Sequence, residues 1–233
     1  MKKNPKLEGT PLHDCIPQTG TCPVNCNQCY FNRPNAYYYP IDQLPLIPTD
    51  VSDGIVRMNC GHDSNINKET VLFVAERYKH VFFNTSLPRL WFPGPVVFTA
   101  NPKEEESAHL VITPPKNLMF VRLRTSGTNL HLIDQAVKHY TGFDIPVVIT
   151  MMAYYNDHIP VVREPGYFAE DCYVWQKRHI NSYWCPTEAF KRAVMRRFHS
   201  YRNVTLCGTF TSNWCRDCRN CESYYWQTLK RIV

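Results

Sequence analysis

Pro146-Val147-Val148-Ile149-Thr150-Met151-Met152 is an almost unbroken apolar run. A strand with one wet face alternates apolar and polar residues, so a continuous run marks a strand covered on both sides, as the strands of parallel sheets are. Working outward, comparable runs are Leu118–Arg124, Pro95–Ala100, Val81–Thr85 and Ile55–Cys60 upstream, and Val204–Cys207 downstream. Leu12-His13-Asp14-Cys15-Ile16-Pro17 reads as a short first strand.

Between these runs apolar residues recur at helical spacing: Val71, Val74, Ala75 and Tyr78, then Leu130, Ile133, Val137 and Tyr140, then Phe190, Val194 and Phe198. Thr187 is placed to cap the last of these helices, and Gly142 is expected to end the middle one in a left-handed cap. No full helix fits between Val81–Thr85 and Pro95–Ala100, and the Pro- and Tyr-rich stretch from Asn32 to Asp50 reads as irregular. Lys103-Glu104-Glu105-Glu106 is expected as a solvated loop or a helix start. Alternating strands and helices predict an α/β fold around a parallel sheet of about six strands.

The 233 residues, 44% of them hydrophobic, suffice for one sizeable core, expected over 1–206, with a Cys-rich extension over 207–233. No apolar run approaches the ~20 residues that cross a bilayer, which predicts a cytoplasmic chain without membrane contact. Eleven cysteines, several at metal-ligand intervals, point to metal binding more than to disulfides. The net charge of +6 and pI near 8.7 suit an anionic partner.

The densest chemistry lies in Cys22-Pro23-Val24-Asn25-Cys26-Asn27-Gln28-Cys29-Tyr30-Phe31. Three thiolates on so short a loop suit a soft metal centre, either iron-sulfur or zinc, and the lack of a fourth cysteine leaves one position for an exchangeable ligand. A closed zinc knuckle completed by Cys15, Cys60 or a histidine is the alternative.

The C-x3-C-x2-C spacing followed by an aromatic residue resembles the signature loop of the radical S-adenosylmethionine (SAM) enzymes. That resemblance implies a partial (β/α)6 TIM-like barrel and a catalytic [4Fe-4S] cluster on Cys22, Cys26 and Cys29. It also implies SAM on the open iron, reduced to methionine and a 5′-deoxyadenosyl radical that abstracts hydrogen from substrate. A reductant such as flavodoxin or ferredoxin would be the electron partner. By position, it puts Tyr30 and Phe31 near adenine, Cys60, Gly61 and Asp63 near the SAM amino group, and Asn84 and Thr99 near ribose. Arg124 and Ser126 fall where such enzymes bind carboxylate or ribose. For Asp63, a turn or helix-cap role is the competing reading, and Arg122 shares the side-chain parity of Arg124.

Cys207, Cys215, Cys218 and Cys221 form C-x7-C-x2-C-x2-C in the tail, enough for a zinc site or a second [4Fe-4S] cluster, with Cys185 as another ligand candidate. Cys15 and Cys172 are expected as free, buried thiols. Lys191, Arg192, Arg196 and Arg197, with Arg202, Arg216 and Arg219 nearby in sequence, read as a basic face, either solvated or phosphate-binding. Tyr37 to Tyr39, Trp175, Tyr183 and Trp184 are candidates for a substrate pocket or base stacking, or else for core packing. The substrate class stays open between nucleotide or nucleic acid and peptide. The rival reading is a zinc-containing nucleic-acid-binding protein without catalysis.

Overall fold

The computed structural model describes residues 4–32, 41–101, 110–179 and 182–232. Tyr37 to Tyr39 and Lys103 to Glu106 therefore lie outside the described residues. Nine strands are present among the described residues: β1 (Leu12–Cys15), β2 (Ile55–Met58), β3 (Val81–Thr85), β4 (Val96–Ala100), β5 (Leu118–Thr125), β6 (Val147–Met151), β7 (Tyr173–Gln176), β8 (Tyr183–Pro186) and β9 (Val204–Leu206). The helices are α1 (Lys68–Ala75), α2 (Leu130–Gly142), α3 (Ala169–Cys172), α4 (Glu188–Arg197), α5 (Cys215–Cys218) and α6 (Asn220–Ile232).

Seven strands form one sheet in the order β1-β2-β3-β4-β5-β6-β9, every pair parallel. The order follows the chain, so all carboxyl ends share one edge. The sheet is open: β1 and β9 are its two edges and do not pair with each other, so no closed barrel is formed. Between Val96 and Val97 the pairing steps from Leu118 to Phe120, and Met119 sits at that irregularity.

Strand parity divides the core in two. One face carries Val56, Met58, Phe83, Phe98, Val121, Leu123, Val147 and Ile149 against α1, α2 and α4, whose buried residues include Val71, Val74, Ile133, Val137, Phe190 and Val194. The other face carries Leu12, Ile55, Phe82, Val97, Phe120 and Val148 against Tyr224 and Tyr225 of α6. The tail thus packs across the second face of the sheet. Asn220 Nδ2 donates to the Leu206 carbonyl oxygen (2.8 Å) at the end of β9, and Arg231 Nε to that of Lys116 (3.1 Å), just before β5. The amino end of α6 therefore lies towards the carboxyl edge of the sheet.

Local chemistry explains most of the elements. Thr187 caps α4, its Oγ1 accepting from the Phe190 amide at 3.2 Å, and Phe190 and Val194 face inward as the periodicity required. In place of a helix between β3 and β4, Leu90 and Phe92 fill the space, with Phe92 stacked on Phe83 at 4.7 Å between centroids. Gly142 differs from expectation: it is the last helical residue of α2, and the left-handed residue that turns the chain is Asp144 (φ 56°). Its Cβ-less backbone is not needed there.

The β7–β8 hairpin is a further difference. Trp175 pairs with Trp184 across it, ring centroids 5.1 Å apart, and Trp184 also packs against the first-face core. Lys191 also departs from the expected solvated face. It is buried, with Nζ donating to the Phe210 carbonyl oxygen (3.3 Å) and Asn213 Oδ1 (3.4 Å). It lies one position from Phe190, on the buried side of the helix. Arg192 pairs with Glu188, and Arg197 with Asp134 and Glu164, which leaves much of that basic face internally neutralised. Cys15 and Cys172 are free and buried, as expected. Among the described residues, no helix is long and apolar enough to cross a membrane.

Candidate functional site

Loops at the carboxyl ends of parallel strands converge on one edge, where open α/β sheets hold their ligands. Here that edge gathers the Cys22–Phe31 loop after β1, Cys60 to Asp63 after β2, Ser86 after β3, Asn101 after β4, Arg124 to Ser126 at the end of β5, and Tyr154 to Asn156 after β6.

The loop is tied down at several points. Asn32 Oδ1 accepts from the Cys22 amide (3.1 Å) and its Nδ2 donates to the Cys22 carbonyl oxygen (3.0 Å), which closes the loop at its base. The Cys29 amide donates to the Cys26 carbonyl oxygen (3.1 Å). Asn25 (φ 47°) and Gln28 (φ 51°) are left-handed, a conformation that costs a residue with a long side chain more than it costs asparagine. Gln28 is held in it from both ends. Its Oε1 accepts from the Tyr155 amide (3.2 Å), its Nε2 donates to Asn156 Oδ1 (3.1 Å), and its carbonyl oxygen accepts from Arg124 Nη2 (3.3 Å). Arg124 Nη1 also donates to the Asn27 carbonyl oxygen (2.7 Å) and to Asn101 Oδ1 (3.1 Å). Its guanidinium is therefore a clamp between the cysteine loop and the ends of β4 and β5.

The three thiols share the loop but not one direction. Cys22, 8% exposed, packs with Ile16, Phe31 and Leu46, and Cys29 lies against the same small core. Cys26 faces the strand ends: its Sγ is 3.6 Å from Ser86 Oγ and accepts from Asn101 Nδ2 at 3.6 Å. Burial raises the Cys22 thiol to about 11, and the charges of Asp63, Cys26 and Cys29 push the same way. Among the described residues, no three Cys, His, Asp or Glu side chains are placed to hold one metal ion. Ligation by all three thiols requires Cys22 to turn out of its apolar neighbourhood. The donor set itself, sulfur only and carried on one short loop, is the kind that soft metal centres take.

The other predicted residues fall into distinct roles. Asp63 is buried and both its oxygens are used, Oδ1 by the Asn65 amide (2.9 Å) and Thr85 Oγ1 (2.9 Å), Oδ2 by the Ser86 amide (2.7 Å) and Ser86 Oγ (2.9 Å). That is the turn-organising role, and it also fixes Ser86 opposite Cys26. Phe31, 1% exposed, is spent on the small core and packs edge-on to His62 at 5.9 Å. Burial lowers the His62 pKa, keeping the ring neutral. Tyr30 is partly exposed, and its hydroxyl donates to the Cys60 carbonyl oxygen (2.9 Å). Gly61 lies in the bend beside Cys60. Ser126 Oγ is engaged with Thr128 Oγ1 (2.9 Å) in the turn that starts α2.

On the second face, between the carboxyl edge and the apolar layer covered by α6, lies a polar layer. Asp14 and Arg57 are a buried ion pair, with Asn4 Nδ2 donating to Asp14 Oδ2 (3.0 Å). Arg122 Nη1 donates to Thr99 Oγ1 at 3.3 Å. Asn84 Nδ2 donates to the Met58 carbonyl oxygen (2.8 Å), while Asn84 Oδ1 and Thr150 Oγ1 are buried and have no hydrogen-bond partner among the described residues. Orphaned buried acceptors on a ligand-facing edge are what a ligand donor would satisfy. Nothing in the sequence singled out Thr150, because it sits inside the apolar run.

The tail cysteines meet this layer. Cys207 follows β9, its amide donating to the Ile149 carbonyl oxygen (2.8 Å), and Cys215 and Cys221 pack against the second-face core. Burial raises Cys215 to about 11 and Cys221 to about 12. Arg57 opposes the rise at both, Arg122 at Cys221. Cys207, Cys60 and Cys218 add to the rise at Cys215. Cys185 stands on β8, outside the tail, within the electrostatic reach of Lys191, Lys6 and Arg178.

Compared with family models, curated proteins and solved structures, the chain matches none.

Proposed function

We propose that the chain is a radical SAM enzyme, with Cys22, Cys26 and Cys29 as ligands of its catalytic [4Fe-4S] cluster. The observation that carries the reading is the placement of the three-cysteine loop at the carboxyl end of the first strand of a parallel sheet whose strands follow chain order. In this reading the open sheet is a partial barrel, with the face covered by α6 as its interior. What such a centre supplies when bound is one-electron reductive cleavage of SAM, giving methionine and a 5′-deoxyadenosyl radical that abstracts hydrogen from substrate.

The chain's own residues position and enclose. Arg124 fixes the loop through the Asn27 and Gln28 carbonyl oxygens, and Asp63 sets Ser86 opposite Cys26. Asn84 Oδ1 and Thr150 Oγ1 supply acceptors for ribose or ammonium donors. Cys60 and Gly61 offer backbone at the end of β2, while Tyr30, Thr99 and Ser126 line the same edge. The tail cysteines would hold a second cluster or zinc. A flavodoxin- or ferredoxin-type reductant and a cytoplasmic setting follow from the chemistry, and the substrate class is a nucleotide, nucleic acid or peptide.

Protein purified without oxygen and then reduced is expected to be brown, to contain iron and sulfide, and to form 5′-deoxyadenosine from SAM; Cys26→Ala is expected to form none. A colourless zinc protein that releases no 5′-deoxyadenosine would overturn the reading in favour of a zinc-containing nucleic-acid binder.

A further inference from the structure

From Tyr173 to Thr187 the chain has no acidic residue and carries Lys177, Arg178 and His179. This stretch contains β7 and β8, and Tyr154 extends the pair on the other side of β8 by bridging Trp184 antiparallel, each amide donating to the other residue's carbonyl oxygen (3.1 and 2.8 Å). Alternation along the strands then sorts the side chains by face. Tyr154, Tyr173 and Trp184 turn inward and pack on the first-face core, the two tyrosine rings edge-on at 5.7 Å. Tyr155 and Tyr183 fall on the opposite parity, partly exposed, with ring centroids 5.6 Å apart.

This outer pair is a fixed shelf with a cation on it. The Arg178 guanidinium lies over the Tyr183 ring at 4.8 Å from its centroid, and Nη2 donates to the Tyr183 hydroxyl oxygen (2.9 Å). The Arg178 amide donates to Ser182 Oγ (2.9 Å), which donates back to the Arg178 carbonyl oxygen (3.1 Å) and ties the two strand ends together. Among the described residues no carboxylate pairs with Arg178, and Lys177 and His179 are exposed beside it in sequence. Asp157 is the nearest acid along the segment that carries Tyr155. Gln28, next to Cys29, accepts from the Tyr155 amide (3.2 Å) and donates to Asn156 Oδ1 (3.1 Å), so the shelf adjoins the cysteine loop at the carboxyl edge.

Rings held open beside cations that have no carboxylate partner are what stacks unpaired bases and meets the phosphates between them. An acidic peptide would use the cations and leave the rings idle, and a duplex hides its base faces. We infer that the outer face of the hairpin binds single-stranded nucleic acid, a base stacking on the Tyr155 and Tyr183 pair and the flanking phosphates meeting Arg178 and Lys177. In the enzyme proposed above that strand is the substrate, a step that rests on the radical SAM reading, whereas binding at the shelf does not.

The test is fluorescence anisotropy of labelled oligo-U, oligo-dT and a duplex of the same length, titrated with the full chain purified without oxygen. The parent is expected to bind a single strand more tightly than the duplex, and the better of the two strands tells RNA from DNA. Tyr183→Ala and Tyr155→Ala are expected to bind about fivefold or more weakly, while Tyr183→Phe keeps the ring and the affinity. Arg178→Gln is expected to lower the slope of log affinity against log salt by ~0.7, the share of one phosphate contact; as a change at an exposed side chain it reads the shelf even where a tyrosine variant fails to fold. Arg196→Gln, on the exposed side of α4, is expected to match the parent. Equal loss in Arg196→Gln, parent-like binding in Tyr183→Ala and Arg178→Gln, or preference for the duplex overturns the inference. A parent that forms 5′-deoxyadenosine from SAM but binds neither strand overturns it alone, and one that binds through these residues yet forms none upholds it and overturns the enzyme reading.

Discussion

Arg124→Met removes the clamp on the cysteine loop while keeping most of the side-chain volume. Three charge-assisted hydrogen bonds are lost, to the carbonyl oxygens of Asn27 and Gln28 and to Asn101 Oδ1. Bonds of this kind contribute ~1.5 to 3 kcal/mol each when well buried, but this guanidinium is partly exposed, so a total of about 2 kcal/mol for the loop is the reasonable expectation. Gln28 is left-handed, and its two side-chain bonds alone must then hold that conformation. The loss falls on local opening of the loop and leaves global unfolding nearly unchanged, because the loop core of Ile16, Phe31 and Leu46 is untouched. Hydrogen exchange reads it directly: the Cys29 amide, bonded to the Cys26 carbonyl oxygen, is expected to exchange about 30-fold faster in the metal-free variant. An unchanged rate would refute the clamp, as would a general loss of protection across β5 and β6.

Other consequences follow from the buried thiols, the tail and the ion pair. Burial raises Cys15 to about 12 and Cys172 to about 11, against ~8.5 for an unfolded thiol, so the folded state holds these protons more tightly. The contribution is fully present below about pH 8.5 and is lost as pH rises towards 11 and 12; the urea midpoint of the metal-free chain is expected to fall over that window, less steeply in Cys15→Ala. At Gly208 (φ +82°) a Cβ would collide with the Ser212 carbonyl oxygen, so Gly208→Ala must reshape the loop between Cys207 and Cys215 and is expected to reduce metal at the tail site, measured by metal analysis. Arg57→Met leaves Asp14 buried and unpaired and is expected to cost ~3 to 5 kcal/mol in urea unfolding, most of it recovered by Asp14→Leu in the same chain.

The parallel sheet was legible because its strands are short apolar runs between helical repeats, and each expected strand appears close to its expected bounds. Val71, Ile133 and Phe190 face inward for the same reason. The β7–β8 hairpin was not legible. Each strand has only four residues, and much of its surface is exposed, so neither strand carries a core period. Lys191 was misread because charge was weighed above its place beside Phe190; its long stem lets the ammonium reach acceptors in the tail. The tail itself read as a cysteine pattern only, and the packing of Tyr224, Tyr225 and Thr228 against the second face comes from the fold. At the edge, sequence placed the loops correctly but not their inner economy: Asp63 binds the backbone and hydroxyls around it, Phe31 is core, and Arg124 holds the loop.

The central claim is that Cys22, Cys26 and Cys29 hold an iron centre with a position open to SAM. Electron paramagnetic resonance of the full chain with the four tail cysteines changed to Ala, reduced without oxygen and recorded with and without SAM, tests it most directly. The account predicts the spectrum of a reduced [4Fe-4S] cluster that shifts when SAM is added. A chain that carries no iron, or a cluster signal that SAM leaves unchanged, would contradict it.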